Sequence, residues 1–98
     1  MYQRAFGAWL KSENLSFTRE VPYPFLFQGK KIGEYRLDFL VEDLIALEFK
    51  VALAMHKRYL NQLLNYLVES EKRLGLCIVF RPEKVDIKRV ANGEVGDL

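Results

Sequence analysis

The sequence has little of the chemistry that most small metal or nucleophile sites use. It contains one cysteine and one histidine among 98 residues. This excludes an internal disulfide and a cysteine-rich zinc site, and it argues against a histidine-based zinc site or a Ser-His-Asp triad. A lone cysteine is typical of a protein kept in the reducing cytoplasm. Any chemistry must therefore come from carboxylates and lysines.

Long apolar runs are also absent, and no stretch approaches the roughly 18 residues of a membrane span. Charges at Arg4, Lys11 and Glu13 interrupt the start of the chain, where a signal peptide would be apolar. With 50% hydrophobic and 29% charged residues, the composition is globular, and the length predicts one domain over residues 1–98. A net charge of +2 neither requires nor excludes a polyanionic partner.

Apolar periodicity predicts seven elements in the order α-β-β-β-α-β-β. This order predicts an α/β (α+β) fold with a mixed central sheet flanked by helices. Pro22 and Pro24 lack backbone donors at the same edge of the first strand, which predicts an edge strand. The first helix starts without a capping residue, so we expect a turn missing upstream, and we expect residues 91–98 to fray. The predicted helices are residues 2–13 and 53–70, and the strands are 19–28, 32–41, 44–51, 76–80 and 85–90.

Two places put charge into strands that are otherwise apolar. Asp38 lies in the second strand, and Glu48 and Lys50 lie at the end of the third. Charges in covered strands are costly unless they are paired or bind a metal. Glu48 and Lys50 are two residues apart and share a face of the sheet. The simpler alternative is a strand end that reaches solvent, with Glu48 and Lys50 forming an ion pair.

The loop between the second and third strands decides whether the two carboxylates meet. A two-residue loop after Val41 would put Asp38 opposite Leu47. A three-residue loop would put Val41 opposite Ile45 and Asp38 opposite Glu48, with Cβ atoms about 4.5–5.5 Å apart. Two carboxylates at that distance suit a divalent cation. A metal site therefore requires an odd loop or a bulge at this position.

The second predicted helix adds polar candidates. Gln62 and Tyr66 are four residues apart and share a face. His56 lies near the N-terminal end, where the helix dipole attracts phosphate. In the functional interpretation these side chains face the carboxylates. In the alternative, Tyr66 belongs to the edge of the core, Gln62 to the surface, and His56 makes a local hydrogen bond.

Asp38, then Glu48-x-Lys50, then Gln62-x-x-x-Tyr66, in this order of elements, resembles the PD-(D/E)XK nuclease superfamily. Within it, the chain is most similar to the small bacterial GxxExxY family. The resemblance extends from Tyr2 to about residue 90 and implies a restriction-endonuclease-like core.

The resemblance implies a metal-dependent phosphodiesterase centre. Asp38, Glu48 and the backbone carbonyl of Phe49 would hold Mg²⁺ or Mn²⁺. Lys50 would orient or help deprotonate the attacking water and stabilise charge on the phosphate. The residues expected to support the site or contact the nucleic acid are His56, Gln62 and Tyr66.

The sequence departs from the family at its start. Tyr2 corresponds to the last residue of Gly-x-x-Glu-x-x-Tyr, so the helix glutamate would lie before Met1 and is absent from this sequence. Glu20 is either its substitute or an ordinary strand-end charge. We therefore expect a divalent-metal-dependent nuclease that acts on DNA or RNA, with DNA favoured over RNA, or alternatively a catalytically silent module that binds nucleic acid or protein. A purely structural subunit is the third possibility. The small surface favours a homodimer or a partner protein.

Overall fold

The computed structural model describes residues 2–93. The expected order of elements is confirmed. The elements are α1 (Tyr2–Ser12), β1 (Phe17–Phe27), β2 (Lys30–Val41), β3 (Ile45–Val51), α2 (Lys57–Ser70), β4 (Leu74–Phe80) and β5 (Val85–Ala91). No helix within this described range is long and apolar enough to cross a lipid bilayer.

The five strands form one sheet in the order β1-β2-β3-β4-β5. β3 and β4 run parallel because α2 connects them as a crossover, and the other neighbours are antiparallel. The sheet is therefore mixed, as expected. β1 lies at an edge, which its two exposed prolines, Pro22 and Pro24, require.

A helix packs on each face of the sheet. We call these faces the α2 face and the α1 face. On the α1 face, the Phe6 ring packs edge-on against Phe39 and Phe49, with ring centroids 5.1 and 5.3 Å apart. The buried cluster of that face is Leu10, Phe39, Val41, Leu47 and Phe49. The buried cluster of the α2 face is Tyr23, Leu37, Leu40, Ala46, Leu63, Tyr66, Leu67, Cys77 and Val79.

Gly75 lets α2 approach β4 closely. A Cβ atom built on Gly75 would lie 2.9 Å from Cδ2 of Leu63, a side chain with no exposed surface. Because the neighbour is buried and cannot move aside freely, we expect Gly75→Ala to lower the free energy of unfolding by about 1–3 kcal/mol. Urea denaturation measures this. Gly33→Ala is the matched control, since nothing lies within 4 Å of the position that its added methyl group would take.

Several ends of the elements differ from the sequence-based expectation by one to four residues, and the largest difference is at the start of α2. α2 begins at Lys57 rather than at residue 53, because residues 52–54 form a bend and residues 55–56 connect it to the helix. The expected fraying is wrong for Ala91 and Asn92. Ala91 pairs with Leu74 in the sheet, and the buried Asn92 amide donates to the Leu67 and Lys72 carbonyls at 3.2 and 3.1 Å. Met1 and residues 94–98 lie outside the described range, and so do the turn expected upstream of α1 and the rest of the expected fraying.

Candidate active site

A three-residue loop sets the register between β2 and β3. Val41 lies opposite Ile45, and Glu42 and Asp43 have left-handed backbone conformations with φ of 54° and 58°. The Glu42 carboxylate accepts hydrogen bonds from the backbone N–H and the hydroxyl of Ser16, which tie the loop to the start of β1. The odd loop that a metal site requires is therefore present, and the register is that of the three-residue alternative.

The same register brings Asp38 beside Glu48, at the point where β2 and β3 separate. Their backbone pairing ends at Phe39 and Leu47. One residue further on, the Asp38 carboxylate accepts the backbone N–H of Phe49 at 2.8 Å. The Asp38 side chain thus accepts a hydrogen bond from an N–H group that would otherwise donate to a neighbouring strand. Asp38 is consequently held between the two strands, next to Glu48.

The side-chain alternation of β2 breaks at Asp38. Leu37 belongs to the buried cluster of the α2 face, whereas Phe39, two residues later, belongs to that of the α1 face. On β1, Glu20 has a left-handed conformation with φ of 51°, and its neighbours Arg19 and Val21 pair with Phe39 and Leu37. A non-glycine residue in this conformation within a strand is uncommon and marks a local distortion. This distortion turns Asp38 out of the regular pleat.

Glu48 is a buried carboxylate with an unused oxygen. It is 3% exposed, and its Oε2 makes no hydrogen bond to any described residue. Burial, first, and the hydrogen bond and charge of Asp38, second, raise the pKa of Glu48 to about 8, although a hydrogen bond with Tyr35 and the charge of Lys50 act in the opposite direction. A buried, unpaired carboxylate oxygen is costly unless a cation or a proton is present.

Tyr35 and Tyr59 surround the Lys50 ammonium. The Lys50 Nζ lies 5.3 Å from the centre of the Tyr35 ring and 5.4 Å from that of Tyr59. Both distances are within the range of cation–π attraction. Burial and the hydrogen bond with Glu48 raise the pKa of the Tyr35 hydroxyl, so it stays protonated. The two rings hold the half-buried Lys50 on the α2 face beside Glu48.

The remaining predicted residues, His56, Gln62 and Tyr66, lie on α2 or directly before it. His56 precedes α2, is exposed, and packs edge-on against Tyr59 with ring centroids 5.3 Å apart. Gln62 accepts a hydrogen bond from the Tyr23 hydroxyl through its backbone carbonyl at 3.1 Å. Tyr66 is 3% exposed and packs edge-on against Tyr23 at 4.8 Å. The structure therefore brings His56 to the rim, whereas Tyr66 lies in the core.

Sequence reasoning missed Tyr35 and Tyr59 as functional residues. Tyr35 lies three residues before Asp38, and Tyr59 three before Gln62. The sequence contains these spacings, but spacing alone does not predict that a ring from a strand and a ring from a helix contact the same lysine.

The donor set fits a divalent cation. Within residues 2–93 no three His, Cys, Asp or Glu side chains lie close enough together to hold a metal ion, so Glu20 does not complete a third acidic ligand. Mg²⁺ usually binds one or two carboxylates and keeps several waters. Asp38, the unused Oε2 of Glu48 and the backbone carbonyl of Phe49 are sufficient for such a site.

Comparison with known proteins bears on the fold and on the family. The chain is similar to the crystal structure of SSO0001, with a TM-score of 0.67 and 18% sequence identity. The similarity covers 99% of this chain and 49% of the other, so the chain spans about half the length of that protein, and it shows the fold alone. No curated protein matches the sequence. A sequence model of the PD-(D/E)XK nuclease superfamily matches residues 1–90, and the chain therefore belongs to that superfamily.

Proposed function

We propose that this protein is a divalent-metal-dependent phosphodiester hydrolase that acts on DNA in preference to RNA. One observation carries the proposal: a buried carboxylate oxygen without a hydrogen-bond partner, Oε2 of Glu48, lies beside Asp38 and Lys50. Superfamily membership supports the same conclusion, because these nucleases typically use divalent metals.

Each group at the site has a distinct task in this proposal. Asp38, Glu48 and the Phe49 carbonyl hold Mg²⁺ or Mn²⁺, which when bound polarises a phosphoryl oxygen and lowers the pKa of water. The Lys50 ammonium donates hydrogen bonds that orient the attacking water and stabilise charge developing on the phosphate. Tyr35 holds the Glu48 carboxylate in place.

α2 supplies the supporting residues. His56, at the exposed rim, contacts the nucleic-acid backbone. Gln62 and Tyr66 support the site through Tyr23, which hydrogen-bonds one of them and packs against the other.

We also propose that the chain is a member of the GxxExxY family, is cytoplasmic, and works as a homodimer or with a partner protein. The free, buried Cys77 is compatible with a reducing compartment.

The test is a cleavage time course on linear, supercoiled and single-stranded DNA and on RNA. We expect cleavage with added Mn²⁺ or Mg²⁺ and none after chelation with EDTA. Asp38→Asn keeps an oxygen that can accept the Phe49 N–H but loses the charge, so we expect it to fold and to lose at least about a hundredfold in rate. Glu69→Gln, an exposed change on α2, is the matched control and should cleave like the parent. Equal cleavage by the parent and Asp38→Asn would contradict the proposal.

A catalytically silent nucleic-acid-binding or protein-binding module is the second candidate. The observation in its favour is that residues 2–93 gather two acidic side chains at the site rather than three. In that case the parent would not cleave at any metal concentration, and Glu48→Ala would leave its affinity for nucleic acid unchanged.

A further inference from the structure

A groove extends from Asp38 along the boundary between α1 and β1. A cavity of about 300 Å³ is lined by Gln3, Arg4, Arg19, Glu20 and Asp38. A second cavity, of about 230 Å³, shares Arg4 and Arg19 and continues to Lys11 and Phe17. We call the two together the α1–β1 groove. One end of it is the candidate metal ligand Asp38.

The groove has an excess of positive charge. Arg4 and Lys11 are seven residues apart and therefore lie on one side of α1. Arg19 faces them from β1, and its guanidinium lies 5.3 Å from the centre of the Phe39 ring, which fixes its direction. All three side chains are exposed, and none takes part in the ion pairs found within residues 2–93. Three cations along one groove suit the binding of a polyanionic chain.

We propose that the α1–β1 groove binds the sugar-phosphate backbone of the substrate strand, with Arg4, Arg19 and Lys11 contacting phosphates beyond the one that is cleaved. The inference rests on the proposed function in one respect, since it takes Asp38 to mark the cleavage centre. Arginine is suited to this task because its planar fork binds phosphate through two parallel hydrogen bonds.

Glu20 gives the groove a negative charge that acts against phosphate. It lines the cavity that contains Asp38, and its left-handed backbone holds it there. If the groove binds phosphate, Glu20→Gln removes a repulsion and tightens binding a few-fold.

The experiment measures binding of a fluorescein-labelled single-stranded DNA by anisotropy in EDTA, so that no cleavage occurs, over a series of salt concentrations. We expect Arg4→Gln, Arg19→Gln and Lys11→Gln each to weaken binding about five- to tenfold and to lower the slope of log K against log salt by about 0.7. Arg19→Lys keeps the charge and should keep the slope. Arg89→Gln, an exposed change on β5 at the far edge of the sheet, is the matched control.

The outcomes separate this inference from the proposed function. A strand with uncharged methylphosphonate linkages should not bind if phosphates are the ligand. The inference is wrong if the three groove variants keep the parent's salt slope, or if their affinity for the strand equals that of Arg89→Gln. This holds even when metal-dependent cleavage is present. If the groove variants lose binding while the parent never cleaves, the groove assignment stands and the hydrolase proposal fails.

Discussion

Replacing Glu48 with glutamine is expected to abolish strand cleavage and, at high pH without metal, to make the protein more stable. Glu48 is 3% exposed and its Oε2 has no hydrogen-bond partner among the described residues. Removing its charge removes a metal ligand, so we expect Mn²⁺ affinity to fall more than about a hundredfold and cleavage more than about a thousandfold. Mn²⁺ titration and the cleavage time course measure the two effects.

The gain in stability follows from the raised pKa. In the folded, metal-free protein the pKa of Glu48 is about 8, against an ordinary value of 4.5. The unfolded chain therefore loses this proton first as pH rises, and the parent loses stability from about pH 4.5 to about pH 8. Glutamine has no such proton. We expect the two proteins to be similarly stable near the lower limit, and Glu48→Gln to be more stable above the upper limit by on the order of a few kcal/mol.

Urea denaturation in EDTA at both ends of this pH range tests the prediction. Glu69→Gln is again the control, because an exposed carboxylate should not produce a stability difference that depends on pH. A Glu48→Gln protein that loses stability with pH as the parent does would mean that Glu48 ionises freely in the folded state. The metal site would then lose its main support.

Replacing Lys50 with methionine is expected to lower kcat strongly while leaving Mn²⁺ binding intact. Lys50 lies beside Glu48 but is not one of the proposed metal ligands, and its ammonium is aimed by two aromatic rings. We expect kcat to fall about a hundred- to a thousandfold, because a preorganised positive charge at the phosphate is lost. Mn²⁺ affinity should be unchanged or slightly higher, since the positive charge no longer repels the ion. A parallel loss of Mn²⁺ binding would contradict this division of roles.

The two tyrosines provide the matched variants for Lys50. Tyr59→Phe keeps the ring and should keep kcat. Tyr59→Leu removes the ring and should lower kcat about two- to tenfold without changing Mn²⁺ affinity, because it loosens the position of the ammonium. Tyr35→Phe keeps its ring over Lys50 but loses the hydrogen bond to Glu48, so it should instead shift the pH dependence of cleavage. Identical effects of Tyr59→Phe and Tyr59→Leu would rule out the positioning role.

Periodicity was sufficient to predict every helix and strand of the fold. Apolar residues that repeat every two positions mark the buried face of a strand, and those that repeat every three to four positions mark the buried face of a helix. The edge position of β1 followed from Pro22 and Pro24, because a missing N–H is a local covalent property. Element ends were less predictable, as Asn92 illustrates: its amide is buried by contacts with Leu67 and Lys72 that are distant in sequence.

The sequence alone therefore determined the order of elements, the candidate acids and lysine, and the condition under which they meet, since each depends on residue type and local spacing. The tertiary structure decided whether Asp38 and Glu48 actually meet, through a loop of three residues rather than two. It also decided their surroundings: the backbone N–H of Phe49 that donates to Asp38, two rings around Lys50, and a basic groove between α1 and β1. These features depend on strands that separate and on helices that cross, and such contacts between distant segments leave no period in the sequence.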